Sequence, residues 1–140
     1  MAKVTVTRSV EAPADRLFGM LGDFGNTSWV PGAPETQVEG EGPGMLRIIK
    51  TGPGSAIRER LESLDRAART LSYSIPEGNP LPVTDYLATV VVTPAGPDRS
   101  QLDWSCSFEP AGISEADAVK AVRGMYEMLV GWVKDAAEKG

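Results

Sequence analysis

The chain has 140 residues, 41% of them hydrophobic and 24% charged, which is enough apolar material for one core and too little charge imbalance for disorder. Its net charge of -5 repels phosphate backbones and anionic headgroups, so nucleic acid is not expected as a partner. Cys106 is the single cysteine and there is no histidine, which excludes an internal disulfide, histidine-ligated zinc and every Ser-His or Cys-His catalytic arrangement.

The chain opens on Met1-Ala2-Lys3-Val4-Thr5-Val6, where apolar and polar residues alternate. The continuous apolar run of a signal peptide or membrane span is missing there, so a cytoplasmic location without stable membrane insertion is expected. Val4, Val6 and Val10 share one face of residues 3–10 and the threonines occupy the other, the period-two pattern of a half-buried strand. Pro13 can open a helix, and Leu17, Phe18 and Leu21 follow at helical spacing, predicting a short amphipathic helix over about 13–21. Trp29-Val30-Pro31-Gly32 reads as a second short helical turn broken by its proline.

Between 35 and 109 the chain reads as strands separated by glycine and proline turns: 35–39, 45–50, 56–64, 70–75, 83–93 and 100–109. No helix of useful length fits between them, so neighbours pair antiparallel as a meander, because a parallel neighbour needs a crossover of a dozen or more residues. Ser114 and Asp117 form a capping-box-like start. Ala118, Val122, Met125, Leu129, Trp132 and Ala136 then recur at three- and four-residue intervals, predicting a long helix to about 137. The expected fold is α+β, a single domain over 1–140. About seven curved antiparallel strands wrap round the C-terminal helix, with one or two short helices after the first strand.

The resemblance rests on Val10-Glu11-Ala12-Pro13-Ala14-Asp15 entering the first helix, Trp29 with Pro31, the runs 58–65, 71–75 and 83–92, Trp104 with Phe108, and the closing helix. In order and spacing the chain resembles the START-like (SRPBCC) superfamily of polyketide cyclase/dehydrase-like, lipid-transfer and plant hormone-receptor proteins, which share the helix-grip fold. The resemblance implies a pocket between sheet and long helix, opening near the loops, for a small hydrophobic or amphipathic ligand such as a lipid or polyketide. Carried over position by position, its lining is Trp29, Ile57, Glu59, Tyr73, Ile75, Tyr86, Ala88, Trp104 and Phe108 from the sheet, with Ala121, Met125, Leu129 and Trp132 from the helix. Gly52-Pro53-Gly54 matches the position of a gating loop. No cofactor and no metal is implied.

Glu59 is the best catalytic candidate, since alternation places it with Ile57 and Leu61 on the expected concave face. It could accept a ligand hydroxyl or move a proton; equally, it could pair with Arg47, Arg58 or Arg60 at the pocket rim. Tyr73 and Tyr86 each offer a flat ring and an orienting hydroxyl. Cys106 reads as an inert buried thiol, having no partner to lower its pKa. Three functions stay open: a carrier or sensor of an apolar molecule, a polyketide cyclase/dehydrase-like enzyme using Glu59 or a tyrosine, and an interaction module regulated by ligand.

Overall fold

The computed structural model describes residues 1–139. Its elements run β1 (Ala2–Val10), α1 (Ala14–Gly22), β2 (Thr36–Glu39), β3 (Leu46–Gly52), β4 (Ser55–Asp65), β5 (Thr70–Glu77), β6 (Val83–Pro94), β7 (Ser100–Pro110) and α2 (Glu115–Lys139). The seven strands form one antiparallel sheet in the order β1-β7-β6-β5-β4-β3-β2. The meander expected from the turn residues is present, and β1 joins its far edge against β7. The expected elements recur with ends displaced by a few residues. The exception is the helical turn at Trp29–Gly32: two successive turns stand there, in which the Val30 N–H donates to the Thr27 carbonyl and the Ala33 N–H to the Val30 carbonyl, each at 3.0 Å. Pro31 has no N–H to extend a helix, and Gly32 and Ala33 both adopt left-handed backbone at φ 85 and 42.

Alternation governs the strands. Val4, Cys106, Ala88, Tyr73 and Leu61 lie side by side across β1, β7, β6, β5 and β4, all buried on the concave face. Bulges break that alternation where the sheet curls. In β6 the register shifts between Thr84 and Leu87, with Asp85 at φ 53, so Val83 and Tyr86 both point inward three residues apart. In β4 a shift between Leu61 and Ser63 has the same effect on Leu61 and Leu64.

The helix α2 begins where Ser114 caps it, its hydroxyl accepting the Asp117 N–H at 3.1 Å. At about 1.5 Å per residue its 25 residues extend about 37 Å, enough to cross the sheet. Its buried stripe is Ala118, Val122, Tyr126, Val130, Val133 and Ala137. Of the expected frame, Ala118 and Val122 belong to this stripe, while Met125, Leu129, Trp132 and Ala136 are only partly buried. Both frames satisfy three- and four-residue spacing; the narrower, β-branched one packs closely on the sheet, chiefly on β1 and β7. The bulkier frame lies one position round, facing away from that contact. No helix among the described residues is long and apolar enough to cross a membrane.

Candidate functional site

Because α2 rests on the β1–β7 side, the helix and the β3–β5 side of the sheet do not close on each other. Between them lies a cavity of ≈ 440 Å³. The sheet contributes Arg47, Ile49, Ile57, Glu59, Tyr73, Ile75 and Trp104, and α2 contributes Met125, Met128, Leu129 and Trp132. The turns after α1 supply Thr27, Trp29, Val30, Pro31 and Pro34. Exposed Pro31, Lys50, Thr51, Pro80 and Met128 mark its mouth, and Gly52-Pro53-Gly54 stands exposed beside them without lining it.

A buried ion pair interrupts this mainly apolar lining. Arg47 and Glu59 are cross-strand partners on β3 and β4, and the Arg47 Nε donates to Glu59 Oε1 at 2.6 Å. The two side chains keep only 8% and 11% of their exposure. A second guanidinium nitrogen donates to the Phe24 carbonyl at 2.9 Å, and the guanidinium carbon sits 3.9 Å from the centre of the Phe24 ring. Of the three arginines that could have paired with Glu59, Arg47 is therefore the partner. Arg58 turns to Glu77 and Arg60 to Glu62 on the opposite face. A carboxylate shared with a fixed guanidinium is a neutral, two-sided hydrogen-bonding point.

The closed end of the cavity is an aromatic cluster. Trp29 and Trp104 meet edge to face at 6.1 Å, Tyr73 lies 6.4 Å from Trp104 at 88°, and Trp104 lies 6.0 Å from Tyr126. The Trp104 indole N–H donates to the Tyr73 hydroxyl at 3.1 Å, and the Tyr86 and Tyr126 hydroxyls bond to each other across the sheet–helix interface. Burial pushes all three phenols well above their ordinary value, and the Glu59 carboxylate adds to the shift at Tyr73. Burial likewise raises the Cys106 thiol. These groups stay protonated at neutral pH and serve as hydrogen-bonding partners.

Nine of the thirteen residues expected to line the site do so: Trp29, Ile57, Glu59, Tyr73, Ile75, Trp104, Met125, Leu129 and Trp132. The other four lie outside the lining of this cavity. Ala88 is fully buried between Tyr73 and Cys106, too short to reach past the ring. Phe108 is fully buried on β7, where the helix sits down on the sheet. Ala121 is exposed on the outer side of α2. Tyr86 turns its hydroxyl to Tyr126 and lines a separate, smaller cavity. Arg47 was legible only as a possible ion-pair partner, since an inward charge reads as an outward one in a strand pattern; its signal was that it alternates with Ile49 opposite Glu59.

Comparison with known proteins agrees with this geometry. A family model described as polyketide cyclase / dehydrase and lipid transport matches residues 1–138. MLP-like protein 423 of Arabidopsis thaliana is 34% identical over 111 residues, covering 71% of this chain and 71% of that protein. Among solved structures, an uncharacterised protein from Bacillus thuringiensis superposes with a TM-score of 0.86 at 28% identity, covering 96% of this chain and 98% of the other. Norcoclaurine synthase from Thalictrum flavum, in complex with dopamine and hydroxybenzaldehyde, gives 0.75 at 20% identity, covering 96% and 85%, a likeness of fold.

Two outcomes follow from the buried groups. Arg47→Met leaves Glu59 buried and unpaired and is expected to cost about 3–5 kcal/mol in urea unfolding at pH 7, whereas Arg47→Met with Glu59→Leu recovers most of it; equal losses in the two would contradict the pairing. The chain's three tyrosines are all in the cluster, and the folded state holds their protons more tightly than the unfolded chain, whose phenols titrate near 10.0. The tyrosines' contribution to stability is therefore level below about pH 10 and falls above it as the unfolded chain releases protons that the native state retains. Absorbance at 295 nm and circular dichroism should change together during an alkaline titration; phenolate appearing while the fold persists would contradict the burial.

Proposed function

Because the chain belongs to the polyketide cyclase/dehydrase and lipid transport family, we propose that it holds a small hydrophobic or amphipathic molecule in the cavity between α2 and β3–β5, acting as a carrier or sensor. The observation that carries this reading is the cavity itself: ≈ 440 Å³, mostly apolar, with the Arg47–Glu59 pair and Thr27 inside and Lys50 and Thr51 at a mouth near the loops. Such dimensions and chemistry suit small-molecule sites. A ligand burying about 400 Å² of apolar surface gains about 10 kcal/mol. An association cost of about 4 kcal/mol, the low end of its range, leaves affinity in the tens of micromolar, and a larger cost weakens it. The neutral pair favours an uncharged polar group on the ligand, a hydroxyl or carbonyl, because a net charge would enter an apolar space with no counter-charge left over.

Holding is favoured over proton transfer for a physical reason. The Glu59 carboxylate is engaged by Arg47, and burial raises the phenols of Tyr73, Tyr86 and Tyr126 away from neutrality, where they are poor general acids and bases. The test is titration with the neutral fluorophore N-phenyl-1-naphthylamine. Saturable one-to-one binding to the native protein is expected. Leu129→Trp, which fills the space from α2, should weaken it at least tenfold while the far-ultraviolet spectrum is kept. Absence of saturable binding, or equal binding by the filled variant, would refute the reading.

A further inference from the structure

The sheet is not continuous at the end of β5. The β5–β6 ladder stops at Ser74 opposite Leu87, while β5 stays with β4 as far as Glu77 opposite Arg58, and β6 stays with β7 as far as Val83 opposite Pro110. Each strand follows its outer neighbour, and a wedge opens between residues 75–77 and 83–86. Pro76 cannot donate to a ladder across that gap. The β6 bulge, with the non-glycine Asp85 held at φ 53, turns the strand away from β5 there. The connecting turn is fixed on the β4 side: at Gly78, φ 77, any Cβ would fall 2.1 Å from the Ala56 carbonyl oxygen.

The wedge contains a second cavity of ≈ 260 Å³. Its inner wall is Val83, the Tyr86 ring and Ile75, buried or half-buried, and its rim is the exposed set Glu77, Thr84 and Asp85. Ile75 also lines the main cavity, and among the described residues it is the side chain that the two linings share. An isoleucine is a thin partition, as wide as a branched butyl group. A single hydrocarbon chain can slip past it where a fused ring system cannot.

We propose that the two cavities are one elongated site partitioned by Ile75, suited to a single-chain amphiphile whose polar end meets Arg47–Glu59 and whose hydrocarbon end passes Ile75 into the wedge. This rests on the ligand-holding function and adds to it the shape of the ligand. The chain enters along apolar side chains and ends near a polar rim, so its terminal methylenes are buried while the opening to solvent stays wetted.

The experiment uses straight-chain alkan-1-ols of increasing length, measured by displacement of N-phenyl-1-naphthylamine from the native protein and from Ile75→Trp, Ile75→Ala and Thr84→Trp. Thr84 lines only the wedge and is exposed, so its replacement fills the far end without entering the main cavity or the core. In the native protein each added methylene should tighten binding about fourfold until the chain reaches the rim. Ile75→Trp and Thr84→Trp should stop that gain at a shorter chain, and Ile75→Ala should keep or extend it. If all four proteins level off at the same chain length, the wedge is not part of the site and the inference is overturned. Fluorophore binding with no alcohol displacing it also overturns the inference alone; failure of both to bind the native protein removes the ligand-holding function and the inference with it.

Discussion

The arrangement depends on how α2 is seated. Ala118, Val122, Val130, Val133 and Ala137 are small or β-branched, so the helix comes down closely on β1 and β7, and the Tyr86–Tyr126 hydroxyl pair pins its middle to β6. Meeting the sheet there, it cannot also meet β3–β5, which curl away through the β4 bulges. Met125, Leu129 and Trp132 therefore face a gap and not a partner strand, and that gap is the cavity. One stripe of side chains closes the fold and the adjacent stripe, one residue round the helix, lines the cavity.

An apolar cavity of this kind would ordinarily be at risk of collapse. Here the walls are stiffened by groups that have little freedom to move inward. Trp104 packs edge to face on Trp29 and Tyr73 and tilted on Tyr126, and its indole N–H donates to the Tyr73 hydroxyl while that of Trp29 donates to the Asn26 carbonyl. Arg47 is held from three sides, by Glu59, by the Phe24 carbonyl and by the Phe24 ring. A buried ion pair of this sort adds little net stability over an apolar pair of the same shape. Its presence is better explained by what it offers the space beside it, a polar point that leaves the cavity without net charge.

Much of this could be read from the residues. Alternation in β1, β4 and β7, with glycine and proline between them, leaves little choice but an antiparallel meander, and the spacing after Ser114 demands a long helix. Glu59 could be assigned to the concave face because Ile57 and Leu61 flank it at period two. What was illegible lies where a local rule has two solutions or is broken. The α2 residues satisfy helical spacing in two adjacent frames, and only the approach of β1 and β7 selects between them. Asp85 in left-handed backbone leaves no trace in a strand pattern, so the engagement of the inward Tyr86 hydroxyl with Tyr126 and the parting of β5 from β6 were invisible. Pro31 suggested a broken helical turn at Trp29, but the left-handed Gly32 and Ala33 make it a pair of turns.

The central claim is that a guest occupies the space beneath α2 without prying the helix from the sheet. Methyl-resolved nuclear magnetic resonance during addition of N-phenyl-1-naphthylamine examines it directly. The methyl groups of Ile49, Ile57, Met125 and Leu129 should shift and show contacts to the fluorophore, while those of Val4, Val122, Val130 and Val133 hold their positions. Shifts centred instead on the exposed Leu87 and Ile113, or spread through the Val122–Val133 stripe, would contradict the account.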